Sequence, residues 1–289
     1  MQGIFSALMC AFTEEGDIHE AGLRQIVRYN IDQCQIDGLY VNGSTGENFM
    51  LSTDEKKRIF KVVKEEVGSE VKLIAQIGSI NIREAIELAQ YATTLGYDAI
   101  SAVTPYYYKF DFDEIKEYYN TITSHTDNKL IVYSIPGLTG VDLSLDQFEE
   151  LFRNEQIIGV KFTAPDFFLL ERLRHRFPDK FIYSGFDEML LSAAVLNVDG
   201  AIGSTYNING EKAKQILTLA KEGNIEEARL LQKETNNLIS GILENGLYPT
   251  IKEMLKYKGV DAGFCRPPTK TLTRNGEEQA RVLAKRFLQ

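Results

Sequence analysis

Cysteine is scarce in this chain. Among 289 residues only Cys10, Cys34 and Cys265 carry thiols, an odd number, and no two of them stand at a metal-ligand spacing. A disulfide framework and a structural zinc site are both disfavoured. Histidine is as sparse. His19, His125 and His175 are scattered, and none forms the i, i+4 pair of a helix-borne metal site, so no metal is expected. Basic charge is in deficit too: 32 Lys and Arg face 41 Asp and Glu, a formal charge of −9. A nucleic-acid partner normally demands a basic face, and none is implied. No apolar run reaches the roughly 18 residues of a membrane span. The opening MQGIFSALMCAF has no basic n-region of the kind that begins a signal peptide. A cytoplasmic setting, with no membrane contact, is the expectation.

What is present is an ordinary globular mixture, 44% hydrophobic and 25% charged. Length alone suggests two domains of about 150 residues, but α/β barrels run to roughly 250 residues as one. Eight short apolar runs settle which applies: Ile4–Met9, Gly38–Val41, Lys72–Ile77, Ala99–Val103, Leu130–Ile135, Ile157–Phe162, Phe181–Tyr183 and Ala201–Ile202. Small polar or loop-forming residues follow seven of them, from Asn42-Gly43-Ser44 to Gly203-Ser204. Amphipathic stretches lie between. Leu23, Ile26, Val27, Ile31 and Cys34 fall at helical spacing. Ser52 to Glu55 and Ser144 to Gln147 read as capping boxes, and Asn81 as a helix cap with Gly96 as the stop. Strand and helix alternate to about residue 205, which implies parallel strands and right-handed crossovers. A doubly wound sheet would want a glycine-rich turn after the first strand, and Met9 to Thr13 is not one. The expected fold is therefore α/β, a (β/α)8 TIM barrel with a C-terminal helical extension. Residues 1–208 would form the barrel and its active site. Residues 209–289 would be helices packed on it within a single structural unit.

Active sites of such barrels lie at the C-terminal ends of the strands. Four places there hold chemically capable residues. Lys161 ends the apolar strand Ile157–Phe162, and alternation puts it on one face with Ile157 and Gly159. Facing inward, its amine would be desolvated, neutral near pH 7 and able to attack a carbonyl. A strand-end salt bridge is the other reading. Tyr133 ends the neighbouring strand and could shuttle protons, or be one rim tyrosine among 14. In Gly43-Ser44-Thr45-Gly46-Glu47, glycines around two hydroxyls leave amides free to converge on an anion, though a plain turn fits as well. The loop has neither the spacing nor the lysine of a P-loop. Gly185-Phe186-Asp187-Glu188 and Gly203-Ser204-Thr205 follow the last two strands. Acceptors there suit sugar hydroxyls, and the carboxylates equally suit a helix N-terminus.

Taken in order, Gly43–Glu47, Tyr133 within Tyr-Ser-Ile-Pro, Lys161 within Gly-Val-Lys-Phe-Thr, and Gly-Phe-Asp-Glu at 185–188 resemble the pyruvate-dependent Schiff-base aldolase superfamily. The resemblance spans essentially the whole chain. Three details resemble its sialic acid-cleaving lyases rather than its dihydrodipicolinate-forming synthases: Ser44 where the synthases usually carry threonine, Leu138 where they carry an arginine, and Phe186-Asp187-Glu188. Gly137 departs from the larger residue of many such lyases and would widen the sugar entrance. The resemblance implies a carbon–carbon lyase that needs no cofactor and cleaves a sialic acid to pyruvate and N-acetylmannosamine. It implies Lys161 as the imine-forming residue and Tyr133 as the proton shuttle. Ser44 and Thr45 would hold the substrate carboxylate. Thr163, Gly185, Asp187, Glu188 and Ser204 would line the sugar-tail pocket. Tyr106 would reach across a subunit interface in a homotetramer. Another 2-keto acid aldolase, a dihydrodipicolinate synthase-like enzyme, and a non-catalytic sugar-acid sensor stay open as alternatives.

Overall fold

Each of the eight apolar runs forms a strand in the structure, a computed structural model that describes residues 1–288. The strands are β1 (Gly3–Ala7), β2 (Gly38–Val41), β3 (Lys72–Gln76), β4 (Ala99–Val103), β5 (Leu130–Ser134), β6 (Ile157–Phe162), β7 (Phe181–Ser184) and β8 (Gly200–Gly203). They pair parallel in chain order, and β8 closes on β1 to complete the barrel. The crossovers carry α1 (Glu20–Asp32), α2 (Thr53–Val67), α3 (Ile82–Thr94), α4 (Phe112–Ser124), the single turn α5 (Pro136–Thr139), α6 (Leu145–Phe152), α7 (Phe167–Arg176) and α8 (Leu190–Val195). Then come α9 (Tyr206–Glu222), α10 (Ile225–Asn245), α11 (Leu247–Tyr257) and α12 (Arg274–Phe287). Among the described residues, no helix is long and apolar enough to cross a membrane.

The capping chemistry explains where several helices begin. Ser52 and Glu55 close a reciprocal box at the start of α2, and Ser144 and Gln147 do the same for α6. Asp111 and Glu114 form a third box, ahead of α4. Asn81 accepts from the Arg83 amide at the start of α3. Each such cap contributes about 1 kcal/mol by satisfying amides that the helix itself cannot.

Two apolar layers follow from strand alternation. Phe5, Ala7, Tyr40, Ile74, Ile131, Tyr133, Tyr183 and Ile202 fill the barrel interior. The opposite strand faces pack under the helices in one larger core. The pattern is broken in β6. Ile157 packs in the outer core, and Ile158 packs against the interior cluster. The cause is a register shift against β5: Leu130 pairs with Ile157, but Ile131 pairs with Gly159. One extra residue reverses the alternation at that point. Lys161 therefore shares the inner face with Gly159 and not, as strict alternation predicts, with Ile157.

The boundary expected after residue 208 falls inside α9, which is kinked at Asn209 and packs along β1. In the ring of helices α9 takes the eighth place. Behind it, α10 lies on α9 and on the loop after β7, while α11 packs against α12. The turn from α10 into α11 leans over the mouth of the barrel, and this brings the extension to the site.

Candidate active site

The C-terminal ends of the strands open into a cavity of about 240 Å³. Lys161, Tyr133, Ser44, Thr45, Thr163, Gly185, Asp187, Glu188 and Ser204 all line it. These residues come from the ends of β2, β5, β6, β7 and β8, so barrel closure alone brings them together.

Lys161 is 4% exposed, and among the described residues it makes no ion pair. Its Nζ lies 4.0 Å from the centre of the Tyr133 ring and 4.4 Å from that of Tyr40. Burial pushes the amine down to about 7, and the charge of Asp187 opposes that shift. The two ring faces also favour the ammonium, but only modestly. Desolvation is the larger effect, so a substantial neutral fraction exists at physiological pH. The salt-bridged alternative for Lys161 is thus not what the geometry contains.

Tyr133 pairs in register with Lys161 across β5 and β6. Burial raises its phenol to about 12, while the nearby hydroxyls of Ser44 and Thr163 favour the phenolate. Thr163 Oγ1 is itself buried without a well-formed hydrogen bond in the protein, so it is free to meet a ligand. Tyr40 braces the pair from below: its ring stands edge-on to Tyr133 at 5.9 Å, and its hydroxyl donates to Ser101 Oγ at 3.0 Å.

Ser44, Thr45 and Gly46 form a 3₁₀ turn whose own bonds run from Gly46 N to Gly43 O and from Glu47 N to Ser44 O. The amides of Ser44 and Thr45 lie ahead of that ladder, as an anion site requires. Thr45 Oγ1 and Ser204 Oγ are 2.7 Å apart, which links the loop after β2 to the loop after β8. Across the cavity, Asp187 Oδ2 accepts from the Thr205 amide at 2.8 Å and from its hydroxyl at 2.6 Å. Burial raises the Asp187 carboxyl to about 6, against the pull of the Thr205 bonds. From behind, α10 holds this loop: the Gln232 amide donates to Asp187 O, and that of Asn236 to Glu188 O.

Tyr106 is placed elsewhere. It folds back edge-on to Phe49 of its own chain at 5.2 Å and lines an adjoining, largely apolar pocket of about 260 Å³. Its neighbours Tyr107 and Tyr108 both point outward, 83% and 63% exposed, and Tyr107 has φ at +76°. Sequence reasoning also missed the wall contributed by the extension. Ile239, Leu243, Leu247 and Tyr248 all line the main cavity. No local motif marks them, because they reach the site only through the packing of α10 and α11 over the barrel. A side chain added at Gly137 would meet nothing within 4 Å, so that residue leaves open space on α5.

A family model described as the dihydrodipicolinate synthetase family matches residues 1–287. The chain belongs to that family. Within the dihydrodipicolinate synthetase family it is 64% identical over 288 residues to an N-acetylneuraminate lyase of Fusobacterium nucleatum, covering 100% of this chain and 99% of that one. The crystal structure of CdNal from Clostridium difficile in complex with mannosamine superposes with a TM-score of 0.99 at 63% identity, over 99% of both chains. That of the Fusobacterium nucleatum N-acetylneuraminate lyase complexed with pyruvate gives 0.96 at 62% identity, over 100% of this chain and 98% of the other.

Proposed function

We propose that this protein is a class I aldolase that reversibly cleaves N-acetylneuraminate to pyruvate and N-acetylmannosamine. The observation that carries the reading is the buried, unpaired Lys161 amine, poised near neutrality beside Tyr133 in an open cavity. It is supported by a chain-long identity of 64% to an N-acetylneuraminate lyase.

The chemistry can be followed through the protons. Neutral Lys161 Nζ adds to the C2 ketone and gives a carbinolamine. Tyr133 protonates the departing hydroxyl, water leaves, and a cationic imine stands beside a phenolate. A resting phenol near 12 makes this order natural: the proton is present at the start, and the new cation then stabilises the phenolate. The phenolate takes the proton from the C4 hydroxyl as the C3–C4 bond breaks. The bond's electrons flow into the imine, leaving an aldehyde and a neutral enamine. Protonation at C3 by Tyr133 and hydrolysis release pyruvate and restore Lys161. The imine is the electron sink, so the scheme draws on no metal or organic cofactor.

In this reading Ser44 and Thr45 hold the substrate carboxylate, which orients the ketone toward Lys161. Thr163, Gly185, Asp187, Glu188 and Ser204 meet the polyol tail. The assembly is a homotetramer in the cytoplasm, with the aromatic segment that includes Tyr106 at a subunit contact. Gly203→Ala tests the tail assignment. An added β-carbon would sit 1.7 Å from Asp187 Oδ1, so the carboxylate must leave its Thr205 bonds. The KM for N-acetylneuraminate should rise about 10- to 100-fold, the cost of a lost charge-assisted hydrogen bond. Pyruvate binding, measured alongside, should stay near wild type.

The decisive experiment is reduction with borohydride in the presence of pyruvate, followed by peptide mapping. A pyruvate-derived adduct on Lys161 is expected; a folded protein without one would remove the imine mechanism. Run as a pH series with cyanoborohydride, the adduct rate should climb through pH 7 and level off by about pH 9, because only the neutral amine attacks. A lysine at its ordinary 10.5 would keep the rate rising past pH 9.

A further inference from the structure

The reaction scheme leaves one buried ion pair unused. Glu47 follows the Ser44–Gly46 turn with φ at +60°, a left-handed conformation that a β-carbon disfavours. Its side chain is wholly buried, and so is that of its partner, Lys252 on α11. Lys252 Nζ donates to Glu47 Oε1 at 2.7 Å and to the Phe264 carbonyl at 2.5 Å. Glu47 Oε2 accepts from the Arg266 backbone amide at 2.7 Å. The Phe12 ring is close to two cations, with Lys252 at 4.9 Å and the Arg266 guanidinium at 5.0 Å. That guanidinium in turn binds Glu55 and the carbonyls of Met50 and Gly16. The turn that begins at Ser44 is thus gripped from behind by α11 and by the segment after it.

We propose that the Glu47–Lys252 pair positions the carboxylate clamp, locking the Ser44–Thr45 turn and the Tyr248 wall into one frame. The proposal rests on the aldolase reading above. Three observations support it. Tyr248 precedes Lys252 by one turn of α11 and lines the cavity together with Ser44 and Thr45. The strained backbone at Glu47 needs contacts to hold it, and both carboxylate oxygens are used for that. The third is electrostatic. Glu47 lines the adjoining pocket beside Ser44, and its unpaired charge would repel a bound carboxylate; Lys252 cancels it. A buried pair rarely exceeds a well-packed apolar pair in stability, so register and charge balance are the better reasons for its presence.

The test uses the full chain with Glu47→Gln/Lys252→Met, which removes both charges at nearly constant volume. Wild type is run alongside. The KM for N-acetylneuraminate, and the pyruvate concentration giving half-maximal borohydride trapping, should both rise about tenfold, the scale of one lost hydrogen bond to the substrate carboxylate. The kcat at saturation should stay within about threefold, because the imine-forming and proton-transferring groups are intact. A folded double variant with both constants unchanged would overturn the proposal and leave the pair a structural tie. If the double variant does not fold, Glu47→Asp decides on the same two constants, since it keeps both charges but shortens the reach to Lys252 and to the Arg266 amide. Failure of wild type to trap pyruvate would instead strike the aldolase reading itself.

Discussion

Lys161→Ala should abolish turnover of N-acetylneuraminate, with kcat falling by about 10⁵-fold or more, the scale seen when a covalent nucleophile is removed. No other amine can take its place. Lys252 is tied to Glu47 and the Phe264 carbonyl, and Lys56 is paired with Glu84. The same variant carries a second, independent expectation in its stability. The Lys161 amine sits at about 7 in the folded protein and at 10.5 when free of it. Between those values the unfolded chain binds the proton that the folded chain has lost, so stability gained from this residue rises with pH across the window. Its penalty on folding is full below about pH 7 and disappears above about 10.5. Thermal unfolding of wild type and Lys161→Ala, compared at pH 7 and pH 10, should therefore show the relative advantage of the variant shrinking as pH rises. Near-normal activity in a folded variant would end the imine mechanism. A stability difference that ignores pH would mean that the amine is not desolvated.

The barrel was legible because its signals are local. Eight apolar runs with amphipathic stretches between them admit few topologies, and the caps at Ser52, Asn81 and Ser144 are written in adjacent residues. The residues at the strand ends were legible for a related reason: once the barrel closes, position along a strand fixes position around the mouth. Three things were out of reach. The inward facing of Lys161 is right, but its companion Ile157 is not, because a register shift depends on the partner strand and leaves no mark in β6 alone. The Glu47–Lys252 pair joins residues 205 apart in sequence, and no spacing argument spans that distance. A hint did exist, since Lys252 interrupts the buried stripe of Thr250, Ile251, Met254 and Leu255 on α11. A lysine there needs a buried partner, and the Gly43–Glu47 loop ends in a carboxylate. The wall of Ile239, Leu243, Leu247 and Tyr248 is the third case, because these residues reach the mouth only through the packing of α10 and α11 over the barrel.

Tyr133→Phe should lower kcat by about 10²- to 10⁴-fold, the usual contribution of a positioned acid–base group. Little else should change. The ring keeps its place under the Lys161 amine at 4.0 Å and edge-on to Tyr40 at 5.9 Å, so the cavity holds its shape. The KM should move by no more than about threefold, because the hydroxyl acts on protons in flight and not on the bound ground state. The two proton transfers assigned to this phenol separate in experiment. Formation of the pyruvate imine needs only help with the departure of water, which solvent can partly supply, so borohydride trapping on Lys161 should persist at a reduced rate. Cleavage of C3–C4 needs a base at the C4 hydroxyl inside a cavity that Leu243, Leu247 and Tyr248 help to close, and solvent is a poor substitute there. The loss in sialic acid cleavage should therefore exceed the loss in imine trapping. Equal losses would place the phenol in imine formation alone. A kcat within about threefold of wild type would remove Tyr133 from the proton path, since general acid–base catalysis of this kind is worth at least a hundredfold. The hydroxyls of Ser44 and Thr163, which already face the phenol, would then be the groups to examine.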